Sequence, residues 1–143
     1  MDLSVHFYYW HEKLGPLLIY SKGDYTINEE QKYMLLSSVE PYAASQESSL
    51  SGPHYVSNRV MMVYNRTVNN PEAKDERVRL MGSDCWVVIS TEKNHEIILK
   101  SKINIVKMIL DIEFENCAEI TQLNASMADR AAKAITDVFL DKK

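Results

Sequence analysis

The sequence has no glycine-rich loop: Gly15, Gly23, Gly52 and Gly82 each stand alone. A phosphate cradle of the Walker or dinucleotide type needs clustered glycines where the backbone approaches the phosphate, so nucleotide binding through those motifs is not expected. Cysteine is scarce too. Cys85 and Cys117 lie far apart without a CxxC neighbour, which reads as two reduced, buried thiols. The histidines, His6, His11, His54 and His95, form neither HxH nor HExxH, so no metal site is expected. No apolar run reaches the roughly 18 residues of a membrane span. Met1-Asp2-Leu3-Ser4 offers no basic stretch ahead of an apolar core, and no secretory signal is expected. The glycosylation patterns Asn65-Arg66-Thr67 and Asn124-Ala125-Ser126 therefore read as chance. There is no basic excess: the net charge of −4 argues against a general nucleic-acid binder. Neither end shows a lipidation signal, so a role at membranes would come only through partners. The expected setting is the cytoplasm, with peripheral membrane attachment through those partners.

What is present fits one domain. The chain has 143 residues, 45% hydrophobic and 25% charged, enough for a sizeable core. Its opening is the clearest stretch. Leu3, Val5, Phe7 and Tyr9 alternate with Ser4, His6, Tyr8 and Trp10, the period-2 pattern of a strand. The first set suits a core and the second a half-covered face. Glu12 to Pro16 turns the chain, and Leu17 to Tyr20 is a second strand ended by Lys22-Gly23-Asp24. A hairpin alone is marginal, so further elements must cover it.

Thr26-Ile27-Asn28-Glu29 and Asn28-Glu29-Glu30-Gln31 are rival capping boxes for a first helix. Its stripe is Leu35, Leu36, Val39 and Tyr42, and Pro41 would kink it or end it near Glu40. Ala43 to Pro53 reads as a polar loop. Val56 to Val68 is apolar on both faces and predicts a central strand. Asn69 to Glu76 is a charged connection, Arg77 to Met81 a short strand, and Gly82-Ser83-Asp84 a turn. Cys85 to Ser90 is the most strand-like run and belongs at the sheet centre. Asn94 to Glu119 predicts a long helix beginning near Glu96, with Leu99, Ile103, Val106, Leu110, Phe114 and Cys117 on one stripe. Ile98, Ile105, Ile109 and Ile112 form a second stripe beside it, so the apolar arc is wider than one sheet face needs and either a further helix or another chain covers it. A sixth strand over His95 to Leu99 is the rival reading. Asn124 or Ser126 caps a last helix carrying Met127, Ala131, Ala134, Ile135 and Val138 on one side.

No catalytic, cofactor-binding or metal-ligating set emerges. Cys85 sits inside an apolar strand, where burial raises a thiol pKa; a thiol catalyst would need a thiolate beside a base, with His6 the candidate. The acidic cluster around Asp111, Glu113 and Glu115 reads as a solvated helix face. The expected fold is α+β: a five-stranded antiparallel sheet covered by helices in the order β-β-α-β-β-β-α-α.

That order resembles the longin domain over nearly the whole chain. The residues that carry the resemblance are Phe7-Tyr8-Tyr9-Trp10, Leu14-Gly15-Pro16 and Leu17-Leu18-Ile19-Tyr20, with Cys85 to Ser90 running into a long helix as the matching later part. The related roadblock domain begins with a helix, whereas this chain begins with a strand. The resemblance implies a non-enzymatic module that pairs with a small Ras-like GTPase, or with another longin or roadblock domain, as a homo- or heterodimer. From amphipathicity, partner contacts are expected at Tyr8, Trp10, Ile105, Ile109 and Ile112. A profilin-like or sensory domain that binds an actin-like protein or a small ligand is the alternative, and a small thiol or acyl-transfer enzyme a third.

Overall fold

The computed structural model describes residues 1–37 and 48–140. Five strands form one antiparallel sheet: β1 (Ser4–His11), β2 (Gly15–Lys22), β3 (Ser49–Val56), β4 (Arg59–Val68) and β5 (Ser83–Glu92). Their order across the sheet is β2-β1-β5-β4-β3. Four helices accompany them: α1 (Glu29–Ser37), α2 (Glu76–Met81), α3 (Glu96–Glu115) and α4 (Ala125–Leu140). The α+β layering is as expected, and Cys85 to Ser90 lies on the central strand.

Two cores share the sheet. Val5, Phe7, Val60, Met62, Tyr64, Val87 and Ile89 face α3 and α4, which contribute Leu99, Val106, Leu110, Ala131 and Ile135. On the other face Tyr8, Met61, Val63, Trp86 and Val88 pack with Leu35 and Leu36 of α1. Successive strand residues point to opposite faces, so strands covered on both sides read as continuous apolar runs. This explains why His6 and Tyr8, expected on a half-covered face, are buried.

The helix boundaries follow their caps. Asn28 and Gln31 make the capping box of α1, with Gln31 N–H donating to Asn28 Oδ1 at 2.8 Å and Asn28 N–H to Gln31 Oε1 at 3.1 Å. The second of the two rival boxes is thus the one used. Val39, Pro41 and Tyr42 lie outside the described residues. The Met127 N–H donates to Asn124 Oδ1 at 3.0 Å and starts α4. Residues 95–99, the rival sixth strand, are helical or lead into α3.

Two expectations are corrected, and they offset each other in the strand count. Arg77 to Met81 is not a strand but most of α2. Asp75 caps it by accepting from the Arg77 N–H at 2.9 Å, and Gly82 ends it by donating to the Val78 carbonyl at 2.8 Å. The missing strand is β3, which takes in Ser49 to Pro53 of the expected polar loop and Val56 of the expected central strand; a turn at Ser57-Asn58 follows, so that β4 starts at Arg59. β3 tolerates Pro53 because it lies at the sheet edge, where one side of its backbone needs no partner. The register slips between Ser51 and His54. Gly52 at the slip has φ +128, and a Cβ there would sit 2.9 Å from the Met61 carbonyl oxygen, so only glycine fits. The resulting element order is β-β-α-β-β-α-β-α-α.

At the opposite edge, Lys32 of α1 is buried and donates from Nζ to the Pro16 carbonyl at 2.8 Å. Glu29 holds the same ammonium at 2.6 Å. A lysine over an edge strand blunts its pairing with other strands.

The packing separates two substitutions on α3. Leu110→Ala removes a fully buried side chain from the larger core and is expected to cost about 3 kcal/mol in urea unfolding. Ile97→Ala, on the exposed side of the same helix, should move stability by less than about 0.5 kcal/mol.

Candidate interaction surface

Helix α3 is apolar on two opposite sides. Its inner stripe, Leu99, Ile103, Val106, Leu110 and Phe114, is buried against the sheet and α4. Its outer side carries Ile97, Ile98, Ile105, Met108 and Ile112, all exposed. Ile105 keeps 49% of its surface, Met108 63% and Ile112 58%, although each is large and apolar. Ile109 is half-buried and leans on the core. No charged residue falls among positions 97, 98, 101, 104, 105, 108, 109 and 112. The Ser101 hydroxyl donates to the Ile98 carbonyl at 2.8 Å, so even that polar group is satisfied within its own helix.

Charges stand on the flanks of this strip. On the β3 side, Asp111 accepts from Ser48 Oγ at 2.5 Å, Tyr64 OH at 2.7 Å and Lys107 Nζ at 2.9 Å. Burial pushes the Asp111 carboxyl up, but these bonds outweigh it and hold it below its ordinary value. On the α4 side, Glu113 pairs with Arg130 at 3.0 Å, and Lys102 donates to the Val138 carbonyl at 2.8 Å. An uncharged apolar centre framed by polar groups is the anatomy of a protein interface.

The structure does not bring the five expected contact residues together. Ile105, Ile109 and Ile112 lie on α3, outside one sheet face; Tyr8 and Trp10 belong to the other face. Tyr8 is only 3% exposed, because α1 covers it, so it is a core residue and not a surface contact. Trp10 remains 39% exposed. Its ring passes over Gly15, with the Tyr33 hydroxyl close by. Leu14, Leu18 and Tyr33 are exposed at this end of the hairpin as well. The outward Ile97 and Met108 were not singled out by the sequence reading. Their signal was present as a charge-free spacing along α3.

A search for chemistry yields packing. Cys85 is buried on the α3–α4 face, and burial pushes its thiol well above the ordinary value. His6 lies on the opposite face, paired in register with Val88, so it cannot serve Cys85 as a base. His6 Nε2 lies 3.1 Å from the Tyr25 carbonyl oxygen. Because that oxygen only accepts, Nε2 carries the hydrogen, and burial, which pushes the ring down to about 4, keeps it neutral at pH 7. Arg59 completes the polar cluster under this face. Its Nη1 donates to Asp2 at 2.8 Å and Nη2 to Ser90 Oγ at 2.9 Å, and its guanidinium stacks over Tyr25 at 4.4 Å. Asn65 of the first glycosylation pattern is fully buried and donates to the Cys85 carbonyl at 3.0 Å. Among the described residues no three His, Cys, Asp or Glu side chains gather to hold a metal, and no helix is long and apolar enough to cross a membrane.

No family model matches the chain, and no curated protein matches it.

The buried histidine makes folding pH-dependent. Burial, opposed by the Tyr25 carbonyl and helped by the Arg59 charge, pushes His6 down to about 4 from 6.5. Between those values the unfolded chain binds a proton that the folded chain refuses. Stability is therefore full above pH 6.5 and falls as the pH drops toward 4, by about 3 kcal/mol in all. His54, lowered by partial burial, adds to the loss in the same direction. Urea midpoints at pH 7 and pH 4.5 for the parent and His6→Asn should show a smaller drop in the variant.

Proposed function

We propose that the chain is a non-enzymatic interaction module, a scaffold or regulator of a small Ras-like GTPase in a trafficking or membrane-associated complex, working as a homo- or heterodimer. The observation that carries this reading is the outer side of α3, five large apolar side chains on a charge-free strip of one helix. Water-exposed apolar area of this kind, rimmed by charges, marks a protein contact. The hairpin-first order of the chain and its resemblance to longin domains supply the class of partner.

The arrangement suits such a module mechanically. A helix anchored by its inner stripe is rigid, so its outer stripe is presented without the entropy cost of ordering a loop. A few central apolar side chains can then supply most of the binding energy.

The test is capture of proteins from native lysate by the tagged chain, with either GDP or a non-hydrolysable GTP analogue added. Recovery of a small GTPase in only one nucleotide state is the expected result. Recovery of a longin or roadblock protein alone would restrict the role to scaffolding. Absence of any specific partner would favour a small-ligand or actin-like-protein binder.

A further inference from the structure

The outer strip of α3 has the spacing of a coiled-coil seam. Ile98, Ile105 and Ile112 recur every seven residues, and Ser101, Met108 and Glu115 follow each by three. In heptad terms the isoleucines occupy the a positions and Ser101, Met108 and Glu115 the d positions, of which Met108 is apolar; an a-position stripe of this spacing suits a second helix. At 1.5 Å per residue the isoleucines span about 21 Å.

The charges around the seam identify the second helix. Glu96 opens α3 and pairs with Lys100 at 3.7 Å; Lys100, Lys102 and Lys107 lie in the first two thirds of the helix, while Asp111, Glu113 and Glu115 crowd its end. Acids at a helix C-terminus oppose the helix dipole. Asp111 is offset by Lys107 and Glu113 by Arg130, but Glu115 has no ion pair among the described residues. Steps of 100° per residue put Lys100 and Glu115 about 60° apart, on the same flank of the seam.

We infer that this face binds a second copy of the chain, α3 against α3 in antiparallel orientation about a twofold axis near Ile105 and Met108. In that register Ile105 meets the second copy's Met108, and Ile112 meets its small Ser101, with the reciprocal contacts generated by symmetry. The same register sets Glu115 against Ile98 of the second copy at the end of the seam, with Lys100 of that copy two residues further along, and the acidic end of each helix lies against the lysine-bearing part of the other. A parallel pair would set lysines against lysines and acids against acids. Antiparallel helices also bring their dipoles head to tail. The inference deepens the assembly half of the proposed function and makes no use of its GTPase half.

Sedimentation of the full chain over a concentration series tests the pairing. A dimer is expected, converted to monomer by Ile105→Glu or Ile112→Glu. Both sites are exposed, so circular dichroism should show the variants folded. Orientation is read by mixing two single variants, Ser101→Cys and Ile112→Cys, in a background with Cys85 and Cys117 replaced by serine. Cross-links between the two different variants are expected. A monomer at every concentration, or a dimer indifferent to both glutamates, would overturn the pairing and leave the strip to a helix of another protein. Cross-links only between like variants would overturn the orientation. Nucleotide-dependent capture of a GTPase is read separately, so either result can fail without the other.

Discussion

The structure depends on burying β5 on both faces. From Ser83 to Thr91 every residue of this strand is buried. A strand so placed needs paired neighbours on both edges and a covering layer above and below. β1 and β4 supply the edges. The pair α3 and α4 supplies one layer and α1 the other. Removing any of these would leave apolar surface in water at roughly 25 cal/mol per Å², so the central place of β5 is a consequence of its composition.

That constraint was largely legible in the sequence. The run Cys-Trp-Val-Val-Ile-Ser reads as central, and the inner stripe of α3 follows its helical period from Leu99 to Phe114; the helix ends at Glu115, so Cys117, expected on the same stripe, and the stretch on to Glu119 lie beyond it. Two segments were not legible, each for a local reason. Arg77 to Met81 alternates weakly in polarity, and its identity is decided at its ends by the Asp75 cap and Gly82. Ser49 to Val56 is short of apolar residues because an edge strand buries little, and its Gly-Pro pair reads as a loop until the slip in register beside β4 is seen.

The candidate surface was legible in part. The isoleucines of the second stripe stood out by spacing, and three of them are exposed where the stripe predicts. Tyr8 did not follow, since period-2 alternation says which residues share a face but not which faces are covered. What covers that side is α1, docked through Leu35 and Leu36 of the expected stripe; the pattern shows that stripe but not which sheet face it covers. Met108 and Ile97 were missed because a stripe drawn through isoleucines alone omits the neighbouring positions that complete a helix face.

Glu12, in the turn between β1 and β2, has a reach beyond its neighbours. Its carboxylate accepts from the Lys74 and Asp75 N–H groups at 3.1 and 2.7 Å, which fastens the segment leading into α2. Those bonds hold its pKa below the ordinary value. The hairpin turn therefore acts as a remote cap for a helix more than sixty residues away in sequence. Helix α2 buries only Val78, and besides its Asp75 cap it is held by Arg79, whose Nη1 donates to the Ala73 and Lys74 carbonyls at 2.9 Å each. The tip of the hairpin and the start of α2 are thus one hydrogen-bonded unit, so a change of shape at Glu12 is transmitted to the helix cap.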